Sequence, residues 1–223
     1  GRILEPFCLE SKLGGVQEAL LKDQALWYRR AFTVAAAERT LLNFEAVDYR
    51  CRVFVNGKEV GAHRGGNTPF TLNITDAVRV GENELLVRVE DEQEGFQLHG
   101  KQTLKPRGIR YTQVSGIWQT VWLEQVNASY VRQLLIRTDA AAGAIKVTAA
   151  VEGAARTIAV RVKDGDRQVA DSTGKAGQEL ALTVPDAKLW SPRSPHLYAL
   201  EVELLNGDGQ VVDNVTSYAG IRT

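Results

Sequence analysis

The densest group of acidic side chains is Asp91-Glu92-Gln93-Glu94. In an extended segment Glu92 and Glu94 share one face at about 7 Å, a separation at which two carboxylates can work as general acid and base. No aromatic-lined groove is legible around them, so the stretch reads as a solvated acidic loop. His63, His99 and His196 are scattered and form neither an HExxH motif nor an i,i+4 pair, so no zinc set is expected and they read as surface or supporting histidines. Ser11 and Ser115 lie outside any GxSxG turn, and Gly61 to Gly66 has neither the spacing nor the following helix of a phosphate cradle. Lys101, Lys105, Arg107 and Arg110 make a local basic patch without interleaved aromatics, which reads as a solvated loop rather than a nucleic-acid site. Trp27, Trp118, Trp122 and Trp190 could each stack on the C–H face of a sugar ring. Their strand-like or domain-edge contexts favour packing instead. Three sequons begin at Asn73, Asn127 and Asn214, and matter only for a protein secreted by a eukaryote. From these residues no catalytic group, metal ligand or cofactor is expected.

The elements that would carry these groups are strands. In Asp48 to Gly57, Tyr49, Cys51, Val53 and Val55 share one face while Arg50 and Arg52 take the other, and Asn56-Gly57 fits a type I′ hairpin. Leu42 to Ala46 and Glu84 to Glu90 read as further strands, with Gly81-Glu82-Asn83 as a turn, and Val114 to Val126 as one long closing strand. Gly15 to Leu26 could hold a short helix through Val16, Ala19 and Leu20. After Val126 the chain becomes richer in Ala, Val and Gly. Alternating runs recur at Ile145 to Val151, Ile158 to Val162, Leu180 to Val184 and Leu200 to Leu204. About seven strands in roughly 95 residues is the size of an immunoglobulin-like sandwich. The expectation is an all-β chain of two domains, residues 1–126 and 127–223.

At 223 residues the chain exceeds the usual single-domain size, and its hydrophobic fraction of 44% supplies real cores. Lys+Arg and Asp+Glu are 27 each, so no net field selects nucleic acid or an anionic membrane as partner. No apolar run of about 20 residues is present to span a bilayer. Cys8 and Cys51 lack metal or redox spacing and read as free thiols, Cys51 in a core. Gly1 in place of Met reads as the start of a piece, which leaves compartment and oligomeric state open.

An ordered set of segments resembles glycoside hydrolase family 2, the family of β-galactosidases, β-glucuronidases and β-mannosidases. Pro6 to Gly15, Trp27-Tyr-Arg-Arg-Ala-Phe-Thr-Val, Phe44 to Tyr49 and Val55-Asn-Gly-Lys-Glu-Val-Gly come first. His63 to Phe70, Asn73-Ile-Thr-Asp, Gly81 to Leu85, Gly100-Lys-Gln and Ser115-Gly-Ile-Trp-Gln-Thr-Val-Trp-Leu-Glu follow, the last being the most specific. Leu189-Trp-Ser-Pro, His196-Leu-Tyr and Gly220-Ile-Arg resemble the end of the family's immunoglobulin-like domain. The resemblance implies a jelly-roll (galactose-binding-like) sandwich lacking its first strand, then an immunoglobulin-like sandwich. It also implies a parent enzyme hydrolysing β-glycosidic bonds, with two glutamates on a (β/α)₈ barrel that takes about 250 residues and has no room here. The fragment alone is expected to be inactive and its partners to be a carbohydrate and the missing barrel. By the same resemblance, Glu10, Lys101 and Gln102 fall on loops facing substrate, and Ser11, His63 and Arg64 on loops facing substrate or barrel. Where relatives carry an acid a few positions before Ser-Gly-Ile, this chain has Arg110, so that contact is not carried over. The other readings are a free-standing carbohydrate-binding module and an adhesion-type double sandwich.

Overall fold

The computed structural model describes residues 1–93 and 97–223, which form two compact units, Gly1–Gln125 and Val126–Thr223. In the first, the strands in chain order are β1 (Leu26–Val34), β2 (Arg39–Phe44), β3 (Val47–Asp48), β4 (Arg50–Val55), β5 (Lys58–Arg64), β6 (Phe70–Asn73) and β7 (Gly81–Glu90). The short β8 (Gln102–Thr103), β9 (Tyr111–Thr112) and β10 (Gly116–Ile117) follow, and then β11 (Val121–Val126). One sheet has the order β1-β7-β4-β5 and the facing ladder β11-β2-β6, while β3 pairs β10 and β8 pairs β9.

The period-two pattern explains the register. Cys51, Val53 and Val55 of β4 oppose Val89, Val87 and Leu85 of β7 in antiparallel pairing, and the alternate Arg50 and Arg52 stay exposed. These valines pack with Leu42, Phe44, Ile74 and Ile117 into the core. Asn56 (φ 51°) and Gly57 (φ 81°) both take the left-handed region that the hairpin requires. Phe44 and Phe70, paired across β2 and β6, stack with ring centroids 4.7 Å apart.

Two expectations are corrected. Residues 15–26 form no helix: a 3₁₀ turn at Lys12–Gly14 ends at Gly15 (φ 83°), Gln17 also has positive φ, and the chain then runs irregularly into β1. The stretch from Val114 to Val126 is two strands rather than one, because β10 pairs with β3 and β11 with β2. Residues 118–120 separate them, while Gly116 (φ 85°) opens β10, where a Cβ would overlap the Tyr28 hydroxyl. That hydroxyl accepts a hydrogen bond from Ile117 N at 3.1 Å.

The second unit holds β12 (Tyr130–Asp139), β13 (Ala144–Glu152), β14 (Thr157–Asp164), β15 (Arg167–Lys175), β16 (Leu180–Thr183), β17 (Tyr198–Leu205) and β18 (Val211–Ala219). They form antiparallel sheets of order β12-β13-β16 and β15-β14-β17-β18. Ile145, Val160, Val162, Leu200, Val202 and Leu204 are wholly buried between them. On the outer face Arg161 pairs with Glu201 and Glu203, and Lys163 with Glu201.

Candidate functional site

The chemistry of the first unit gathers at Asp48, on β3, and at Asp91, directly after β7. Asp91 is 1% exposed, which overturns the reading of its stretch as a solvated loop. Its Oδ2 accepts from Ser115 Oγ at 2.6 Å and from Gln93 Nε2 at 2.7 Å, and its Oδ1 from Gln97 Nε2. Glu92 is half-buried, 3.5 Å from Arg50 Nη2, and Glu94 lies outside the described residues. The Glu92–Glu94 spacing considered from the sequence thus falls partly outside the described residues.

Glu10 closes the other side of this network. Its Oε2 accepts from Ser115 N at 2.9 Å and its Oε1 from Gln113 Nε2 at 3.0 Å. The same Gln113 amide reaches Leu20 O at 2.9 Å and Ser115 Oγ at 3.0 Å, so it ties the irregular N-terminal segment to the segment between β9 and β10. Gln102 on β8 joins the network to Asp48. Its Oε1 accepts from Val114 N at 2.6 Å and its Nε2 donates to Asp48 Oδ2 at 3.4 Å. Asp48 Oδ1 is buried without a partner, and Gly66 leaves the room it needs, since a Cβ there would overlap the carboxylate. Burial, then the nearby Asp91 and Glu10, push the Asp48 carboxyl up to about 7, against the lowering effect of Gln102. The network ties the N-terminal segment, β8 and the segment between β9 and β10 to one another.

The six expected site residues separate on this geometry. Glu10 and Gln102 belong to the network. Lys101 is exposed beside Gln102, and its carbonyl accepts from Tyr111 N at 3.0 Å. Ser11 caps the 3₁₀ turn, accepting from Leu13 N at 3.1 Å. His63 stacks on Phe70 with centroids 4.1 Å apart, and its Nε2 lies 3.0 Å from Thr68 Oγ1. Arg64 is exposed, with its guanidinium 5.5 Å from the Tyr49 ring centroid. Sequence reading did not single out Asp48 or Gln113 as site residues, read Asp91 as part of a solvated loop, and considered Ser115 only as a nucleophile and a motif residue.

A groove of about 900 Å³ is lined by β1, β11 and the N-terminal segment. β1 and β11 end their respective ladders, and Leu26, Phe32, Val121 and Leu123 line the space between them. Glu5 faces it with neither carboxylate oxygen partnered, and burial raises that carboxyl to about 7, opposed by Arg30. Trp27 and Trp122 stand at the surface, 53% and 38% exposed, and Trp27 stacks on Phe54 with ring centroids 6.1 Å apart.

Fold and site together define a class: a jelly-roll sandwich with a polar network holding its loops, followed by an immunoglobulin-like sandwich. Residues 18–126 match the sugar binding domain of glycosyl hydrolases family 2, and residues 129–222 match a second model of glycosyl hydrolases family 2. The chain belongs to that family. It is 28% identical to a β-galactosidase of Thermoanaerobacter pseudethanolicus over 88% of its own length and 28% of the relative's. It is also 28% identical to a β-glucuronidase of Paenibacillus borealis, over 93% of its length and 38% of that protein. The Lactobacillus rhamnosus β-glucuronidase structure superposes with a TM-score of 0.76 at 28% identity, covering 98% of this chain and 39% of that one. A Ruminococcus gnavus β-glucuronidase in complex with D-glucuronic acid superposes at 0.75 and 25% identity, covering 89% and 36%. The chain thus spans about a third of the length of these relatives.

Proposed function

We propose that this chain is the non-catalytic front part of a β-glycosidase. Its first domain, residues 1–126, forms one wall of the substrate cleft, and its second, residues 127–223, supports a catalytic barrel outside this sequence. The observation that carries the reading is the network from Glu10 through Ser115 and Asp91, with Gln102 on Asp48. It spends buried carboxylates and amides on fixing polar loops, a costly arrangement unless their positions matter. Glu10, Lys101 and Gln102 then stand on the substrate side, with His63 and Arg64 at the end of β5, rather than on a loop, and Ser11 at the 3₁₀ turn facing substrate or barrel. The groove between β1 and β11 fits the further strand that the resemblance places ahead of Arg2.

A panel of nitrophenyl β-glycosides tests the reading. The 223-residue chain turns none of them over, and the polypeptide extended through a downstream barrel hydrolyses at least one. Turnover by the chain alone, lost on substitution of Glu92, would sink it.

A further inference from the structure

Residues 97–112, which carry β8 and β9, send no side chain into a core: none of them is buried, and Leu98, Ile109 and Tyr111 stand exposed. Outside the β8–β9 ladder their backbone bonds are local, Gln102 N to His99 O, Arg110 N to Arg107 O and Tyr111 N to Lys101 O. Among the described residues, the hydrogen bonds from this strap to the body of the first unit run through two glutamines. Gln97 donates to Asp91 Oδ1 and accepts from Glu92 N at 3.1 Å. Gln102 donates to Asp48 Oδ2 and accepts from Val114 N. A segment without apolar anchorage lies at the low end of local stability, so these few bonds decide whether it stays shut.

Both anchors end on carboxylates that no cation opposes. Asp48 and Asp91 are 4% and 1% exposed, and Ser115 links Asp91 to Glu10, yet among the described residues none of the three acids is in an ion pair. Around Asp48, β10 places Gly116 opposite it, the turn after β5 brings Gly66, and β8 brings Gln102. The charged groups that bear on it are Asp91, after β7, and Glu10, in the N-terminal segment. The arginines of the neighbouring strands turn elsewhere, Arg50 to Glu92 and Arg64 to the Tyr49 ring. Asp48 Oδ1 is left without a partner, and the ionised side chain meets two other acids with only the Gln102 amide in its favour.

We infer that the strap of residues 97–112 is a pH-sensitive closure, shut while Asp48 carries a proton and released as Asp48 ionises. The proton removes the charge that Asp91 and Glu10 oppose, and opening the strap gives the ionised carboxylate water in place of one long amide bond. The carboxyl sits at about 7 when the strap is shut, against about 3.9 in water. Opening is therefore favoured increasingly as pH rises through that window. His99, on the strap itself, has its Nδ1 buried without a partner, but an imidazole buried neutral gives the opposite sign and opens toward acid pH. The closure belongs to the first unit alone; joined to the reading of that unit as a cleft wall, it makes one loop of the wall pH-dependent.

Amide hydrogen exchange of the 223-residue chain, corrected for the intrinsic rate at each pH, tests the closure. Protection of the Gln102, Tyr111 and Val114 amides is expected to fall about tenfold or more between pH 5 and pH 8, while the amides of β4 and β7 fall less. Asp48→Asn, an uncharged mimic of the protonated side chain, should keep strap protection at pH 8 near its pH 5 value, and His99→Gln should leave the wild-type slope in place. Should Asp48→Asn fail to fold, the ¹³C shift of the Asp48 carboxyl in the wild-type chain takes its part. That shift is expected to titrate in step with the loss of strap protection, and a shift that stays constant from pH 5 to pH 8 overturns the closure. Flat wild-type protection, a slope that survives Asp48→Asn, loosening toward acid pH, or strap and core amides falling together would each overturn it as well. None of these outcomes bears on the cleft-wall reading, which the nitrophenyl glycoside panel decides.

Discussion

Asp48 is a side chain whose charged form loses on folding. An aspartate in water titrates near about 3.9, whereas here burial beside Asp91 and Glu10 lifts the carboxyl to about 7. The folded state therefore binds the proton more tightly than the unfolded chain. Stability is greatest where Asp48 is protonated and falls as pH rises from about 4 to about 7, reaching its full penalty above the folded value. Glu5, raised to about 7 by burial in the groove, adds to the same slope with the same sign. The expected outcome is a first-domain melting midpoint several degrees lower at pH 8 than at pH 5, and Asp48→Asn should flatten much of that difference. A midpoint that rises over this range would contradict the assignment. No pattern of residue types could have indicated this. Asp48 follows Val47 in a short alternating run, and its burial depends on Gly66, Gln102 and Asp91 arriving from elsewhere in the chain.

At the scale of elements, alternation carried the reading wherever a strand has one wet face. β4, with Cys51, Val53 and Val55 inside and Arg50 and Arg52 outside, is such a strand, and so is β14, with Ile158, Val160 and Val162 inside. It failed where pairing changes partner. The sequence from Val114 to Val126 keeps a strand-like composition throughout, but its pairing passes from β3 to β2 across residues 118–120. Gly116→Ala meets two obstacles, the left-handed backbone at φ 85° and the Tyr28 hydroxyl in the space of the new methyl. It is expected to destabilise the first domain by about 2–4 kcal/mol, read as a lower urea midpoint with unchanged slope. The corresponding change at Gly57, which is open to solvent around its Cα, should cost distinctly less. The segment before β1 failed for another reason: its apolar residues at helical spacing answer to Gln113, which takes the Leu20 carbonyl, and not to a helix.

At the scale of the molecule, two separate cores predict two separable responses to a cavity. Leu200 is wholly buried among Val160, Val202, Ile145 and their neighbours in the second unit. Leu200→Ala should cost about 2–5 kcal/mol there. Spectroscopic signals from the first unit, such as those of Trp27 and Trp122, should keep their midpoint. Loss of both in one shifted transition would show that the units unfold together. The sequence by itself determined the all-β class, the hairpin at Asn56-Gly57, most core faces and the family likeness. These rest on local period, turn stereochemistry and an ordered series of short motifs, all of which survive in one dimension. Only the tertiary structure decided that Asp91 is buried rather than solvated, that Trp27 and Trp122 reach the surface, and that Glu10, Gln113, Ser115 and Asp91 form one network. Those residues are separated by up to 105 positions along the chain, and burial and hydrogen bonding between them are properties of the packed sheets, with no local signature to read.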